Sequence, residues 1–163
     1  MKLEGFFAEL NFSTSGAIKA IDDEMQRQLF RAWDAWLTEF IRIVPVWAGQ
    51  SVGTVLPLAH LLQHPISIGA PRGKAKSDQS SRGASQSSAT LEGGNGKWTI
   101  EYQTALKHLI INEFFDARIW GIHLKTPGPY NFEAQAKKAF LQVAAQAELP
   151  DLTQFFDFDK RSF

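Results

Sequence analysis

One amphipathic helix, ended by a proline, constrains this chain more than any other feature. From Gly16 to Val44, the residues Ile18, Ile21, Met25, Leu29, Trp33, Trp36, Phe40 and Ile43 recur every three or four positions. That spacing keeps side chains on one face of a helix with about 3.6 residues per turn. Ser13, Thr14 and Ser15 offer capping oxygens ahead of it, and Asp22-Asp23-Glu24 lies toward its N-terminal half, where the helix dipole favours negative charge. Pro45 cannot donate the next backbone hydrogen bond. At about 1.5 Å per residue the helix spans roughly 42 Å. Trp33, Trp36 and Phe40 are expected in the core. Phe30, Leu37, Ile41 and Trp47 widen the apolar face beyond what one small sheet needs to cover. The helix therefore reads as a core element and an assembly surface together, with Phe30, Leu37 and Trp47 at the boundary.

A chain of 163 residues has single-domain length. Its 17 basic and 17 acidic side chains balance, so overall charge argues for neither nucleic acid nor a membrane surface. With no cysteine, disulfides, thiolate metal sites and a cysteine nucleophile are excluded. The N-terminal stretch carries Glu4 and Glu9 and reads as a poor signal peptide, and no run approaches a membrane span. A soluble α+β domain over residues 1–150 is expected, followed by an extension over 151–163.

Residues Leu3 to Phe12 alternate loosely and suggest a short strand. The glycines of Val46–Gly53 suggest a turn; Thr54 then caps a short helix over Val55–Gln63, with Pro57 in its first turn. Between Pro71 and Gly96 the one large apolar residue is Leu91, a composition that predicts mobility. The simplest pairing joins Ile66–Gly69 to Trp98–Gln103 as an antiparallel hairpin with residues 70–97 as a long flexible tip. Leu106–Phe115 is ambiguous between helix and strand, and Arg118–Lys125 suggests a strand. Tyr130–Gln146, with Asn131 as its cap, predicts a second substantial helix. In the tail, Phe155, Phe156 and Phe158 are too closely spaced for one helical face. An extended arm docked on another subunit or protein is expected; the alternative folds the tail back over the domain's own sheet.

Candidate chemistry is sparse. His60 and His64 stand four apart and would face one cation if both lay on a helix, but no third ligand or HExxH pattern accompanies them. His108, Glu113 and Asp116 form a possible acid–base cluster, for which solvated charges are the plainer reading. The glycines at 93, 94 and 96 do not match a phosphate-binding loop. No catalytic residue, metal or cofactor is expected, and the chain is read as a non-enzyme. Arg72, Lys74, Lys76 and Arg82 make the loop locally basic, facing either a lumen or a neighbour. Without interleaved aromatics they suit phosphates rather than bases, so a small nucleic-acid-binding protein is the alternative function.

The order of elements resembles the tail-completion or head–tail joining proteins of tailed bacteriophages. In that family a long amphipathic helix runs into a proline–x–aspartate–threonine–glycine motif and then a short helix. Pro45-Val46-Trp47-Ala48-Gly49 keeps the proline and glycine but has tryptophan and alanine where aspartate and threonine are expected. Pro129-Tyr130-Asn131-Phe132 leading into an alanine-rich helix is similar to a later family feature, and the likeness spans most of residues 16–147. The resemblance implies a virion structural protein, made in the host cytoplasm. It would form a homo-oligomeric ring at the head–tail junction and join the portal or adaptor to the tail, with a tail-terminator role as the related alternative. Its expected partners are further copies, other neck and tail proteins and, through the basic loop, non-specific contact with packaged DNA. Excess aromatic surface on the helix and an apolar tail (Phe155, Phe156, Phe158) fit burial completed by neighbours.

Overall fold

A computed structural model describes residues 6–12, 14–44, 49–67, 78–114, 129–148, 150 and 156–162. The architecture is α+β: a long N-terminal helix packs against the C-terminal helix and a two-stranded antiparallel sheet. The long helix α1 runs Thr14–Ile43, and Val44 still donates its N–H to the Phe40 carbonyl at 2.9 Å. It carries the core on its C-terminal half, where Trp36, Leu37, Phe40 and Val44 are all buried. Ile18 and Met25, on the same periodic stripe, are instead exposed. The acidic run lies in the third turn, beyond the reach of the helix dipole. Its residues work locally instead: Glu24 accepts from Arg27 and Gln28, and Asp22 reaches across to the sheet.

After the proline come α2 (Gln50–Gly53) and α3 (Leu56–Leu62), the latter close to its predicted span with Pro57 in its first turn. Thr54 is buried, its Oγ1 donating to the Ser51 carbonyl at 2.7 Å. Gln63 turns left-handed at the end of α3, letting the N–H of His64 reach the Ala59 carbonyl and that of Gln63 the His60 carbonyl. This is a Schellman closure.

The predicted flexible tip is corrected from residue 78 onward. Ser80–Ala84 is a short helix, α4, and Ser87–Gly94 is a strand, β2, paired antiparallel with β3 (Lys97–Thr104). The hairpin partner of Trp98–Gln103 is therefore β2 and not Ile66–Gly69; of that segment, residues 66–67 are irregular and 68–69 lie outside the described residues, as do 70–77. Asn95-Gly96 makes the two-residue turn with φ of 55° and 80°. Positive φ at both positions matches the right-handed twist of the flanking strands. Small residues that fail to fill a core can still hold a segment in place by backbone approach. A Cβ on Gly53 would stand 2.2 Å from the Ser80 carbonyl oxygen, and one on Gly83 would stand 2.0 Å from that of Gln50. Each glycine lets α2 and α4 touch backbone to backbone.

Along β3, Trp98, Ile100 and Tyr102 face inward as the alternation predicts, and Ala89 and Leu91 of β2 join them against the core. Asp22 Oδ1 accepts the Gly96 N–H at 2.7 Å and Trp98 Nε1–H at 3.0 Å, fastening the turn to α1. Leu106–Phe115, ambiguous in sequence, folds as helix α5 over Lys107–Phe114. The last helix, α6 (Phe132–Ala144), packs along α1. The predicted strand Arg118–Lys125 lies outside the described residues.

The chain's two ends form a second ribbon. β1 (Phe6–Phe12) pairs antiparallel with β4 (Phe156–Ser162), with Phe12 opposite Phe156 and Leu10 opposite Phe158. The tail is extended, as its phenylalanine spacing implies, but its strand partner is the chain's own N-terminus. A local sequence pattern does not specify which edge a strand will find, and within the chain it is β1.

Two measurements follow from this packing. Gly53→Ala and Gly83→Ala, each forcing a methyl group into backbone, are expected to cost about 1–3 kcal/mol or more by urea denaturation. Burial pushes the Tyr102 phenol above its ordinary value of 10.0, partly offset by the Thr54, Ser87 and Thr104 hydroxyls. The neutral phenol is thus the form favoured by folding. Its contribution is full below pH 10.0 and declines as the pH rises through the higher folded-state value. Relative to wild type, Tyr102→Phe should remove that part of the alkaline loss of stability.

Candidate functional site

The histidine pair dissolves on inspection of α3. His60 sits on the helix and is exposed, whereas His64 follows the left-handed Gln63 and no longer shares its face. His64 Nδ1 instead meets Asp34 Oδ1 of α1 and joins the two helices. Among the described residues no group of three His, Asp or Glu side chains is placed to share a metal ion.

Of the second cluster, the structure describes the Glu113 side chain alone. Glu113 is buried at the end of α5, and its carboxylate accepts the N–H of Glu133 at 3.1 Å and of Ala134 at 3.4 Å. These are amides of the first turn of α6, which a helix cannot satisfy internally. Asn131, predicted as the cap, occupies the cap position with φ 49° but makes no side-chain cap bond. Its own N–H goes to the Glu113 carbonyl at 3.4 Å. Glu113 therefore replaces the local cap from another helix, and the negative carboxylate also suits the positive end of the helix dipole. His108 shares α5 with Glu113, while Asp116 lies outside the described residues. An apolar pocket of about 300 Å³ opens beside Glu113, walled by Trp36, Phe40, Leu109, Phe114 and Phe132. With the Glu113 carboxylate accepting two amides, the described lining of this pocket presents mainly hydrophobic surface.

The expected boundary residues divide. Leu37 is fully buried at 0% exposure, at the centre of the core, so its assignment to an interface is corrected. It lies beside the periodic stripe and packs in the same core as residues of α3, the hairpin and α6, so this part of the excess width is buried within the chain. Phe30 is half-buried against the same core. Trp47 and Phe155 lie outside the described residues, and Phe156 and Phe158 take register positions in β4. Of the basic positions, Arg82 is exposed on α4, while Arg72, Lys74 and Lys76 lie outside the described residues.

A second apolar surface is one the sequence reading did not single out. A groove of about 220 Å³ runs between the middle of α1 and the C-terminal end of α6, lined by Met25, Leu29, Ala32, Trp98, Phe140 and Ala144. Met25 is 40% exposed on its wall; Leu141, next to Phe140, is 55% exposed; and Ile18, two turns before Met25, is 57% exposed. Ile18 and Met25 were legible as part of the helical stripe. What periodicity omits is where the stripe runs out of partners.

Comparison with protein-family models, curated proteins and solved structures finds no match.

Glu113→Ala would remove the carboxylate that accepts two first-turn amides of α6. It is expected to cost about 1–2 kcal/mol in chemical denaturation. Hydrogen exchange should accelerate first at Glu133 and Ala134.

Proposed function

We propose that this chain is a virion structural protein that assembles as a homo-oligomeric ring at the head–tail junction of a tailed bacteriophage. The observation that carries the reading is the apolar groove between α1 and α6, flanked by exposed Ile18, Met25 and Leu141. Clustered apolar surface of this kind marks sites where another protein completes the burial. The order of elements that resembles tail-completion proteins supports the same assignment. So does the long α1, whose C-terminal half holds the fold while its N-terminal half presents apolar side chains outward. In this reading neighbouring copies cover the groove, and other neck and tail proteins contact the ring's faces.

Antibody labelling of purified particles tests the location: gold at the neck supports the proposal, and particles devoid of the chain refute it. Leu141→Asp tests the surface. An exposed position should change monomer stability by no more than about 0.5 kcal/mol, while ring formation, read by light scattering after size-exclusion chromatography, is lost. Full assembly with aspartate at this position would remove the groove from the interface.

A further inference from the structure

The hairpin turn Asn95-Gly96 carries reactive chemistry as well as shape. Of the chain's four asparagines, Asn95 alone precedes a glycine. Asparagine before glycine is the pair most prone to deamidation, because glycine sets no side chain beside the main-chain nitrogen that must attack. Both residues are exposed, so solvent reaches them. In the reaction the Gly96 nitrogen loses its proton to solvent and bonds to Asn95 Cγ. The Cγ–Nδ2 bond breaks, and Nδ2 leaves as ammonia with a proton taken from solvent. Water then opens the succinimide at either carbonyl. Opening at Cγ leaves aspartate; opening at the former backbone carbonyl leaves isoaspartate, whose main chain runs through Cβ and Cγ. Nothing is oxidised or reduced, and water is the co-reactant.

The attacking nitrogen is already engaged. Gly96 N–H donates to Asp22 Oδ1 of α1 at 2.7 Å, and the same oxygen accepts Trp98 Nε1–H at 3.0 Å. A hydrogen bond to a carboxylate is stronger than one between neutral groups. Removing this proton would set an amide anion against a carboxylate at hydrogen-bond distance, and like charges that close oppose ionisation. The backbone adds a second restraint. Asn95 and Gly96 hold φ of 55° and 80°, the form a two-residue hairpin requires. Closing a five-membered ring turns the Asn95 Cα–C bond away from that setting, and the pairing of Gly94 with Lys97 across the turn resists the rotation.

We infer that Asn95 is a site of spontaneous covalent modification whose rate Asp22 sets, the native turn staying unreactive until the Gly96 N–H is released. The consequence falls on the α1–α6 groove. Isoaspartate adds one main-chain atom to a two-residue turn, which then no longer fits the register that places Gly93 opposite Trp98. Trp98 lines the groove, and a Cβ on Gly96 would stand 3.9 Å from Sδ of Met25, which lines it too. Conversion is thus a one-way change that loosens the hairpin tip from α1 and reshapes the groove beside Met25. The inference concerns the single chain and is independent of the ring reading.

Incubation of the full chain at mildly alkaline pH tests it. Peptide mass mapping reads the mass gained at Asn95, and enzymatic methylation reads isoaspartate. Folded wild type should convert at least about tenfold more slowly than the chain unfolded in urea. Asp22→Ala should raise the folded rate on the order of tenfold, as expected for loss of one charge-assisted hydrogen bond. Asp22→Asn, which keeps an acceptor without the charge, should fall between, and it carries the test if circular dichroism shows Asp22→Ala unfolded. Glu113→Ala, destabilising far from the turn, should leave the rate unchanged and so separates release of the turn from general loosening. Equal rates in folded and unfolded wild type would overturn the inference. So would an Asp22→Ala rate equal to wild type, or an Asp22→Asn rate below it, which would make the carboxylate a base rather than a restraint. Converted protein, separated by its added negative charge, should exchange the Gly96 amide hydrogen faster; unchanged exchange would overturn the consequence for the groove.

Discussion

The fold depends on one aromatic seam along the C-terminal half of α1. Trp36 stacks on Phe40 with centroids 4.9 Å apart, Phe40 meets Phe132 edge-on at 5.0 Å, and Trp33 meets Phe140 edge-on at 5.6 Å. Trp36 also contacts Tyr102 of β3. These pairs join α1 to α6 on one side and to the hairpin on the other, in geometries that suit the ring quadrupoles. Leu37, beside this stripe, has no exposed surface. Large rings in mutual contact leave little room for alternative packing, so the positions of the other elements follow from this seam.

Polar groups then fix what the seam leaves adjustable. Asp22 holds the hairpin turn against α1, His64 and Asp34 connect α3 to α1, and Glu113 caps α6 from α5. Each joins elements distant in sequence, and each occupies a side chain that an isolated reading might assign to chemistry. The Glu113 carboxylate shows why: in a buried site, two amide donors are reason enough for its presence. The surface pair Glu39–Arg42, by contrast, holds the Glu39 carboxyl below its usual range chiefly through the Arg42 hydrogen bond, but Arg42 is exposed and Glu39 only partly covered, so the pair contributes little to the fold.

The proposed ring draws on the apolar groove between α1 and α6, which shares Phe140 with the aromatic seam and extends past it to Met25. A protein whose core occupies one half of its longest helix has the other half available for association.

The sequence alone determined the elements whose cause is local. The three-to-four spacing specified α1 and α6, Pro57 marked the start of α3, and alternation at Trp98, Ile100 and Tyr102 oriented β3. Asn95-Gly96 is also a local turn signal, which the sequence analysis did not use. Tertiary structure decided the rest because its causes are non-local. Gly53 and Gly83 order α2 and α4 by letting two backbones meet, which no hydrophobicity pattern records. Leu37 became core rather than boundary once α3, α6 and the hairpin enclosed its face. Glu113 became a cap only when α6 began beside it, and the tail found β1 because strand pairing depends on which edge is within reach. Periodicity reports which side of an element is apolar; which neighbour covers it is settled by the packing of the whole chain.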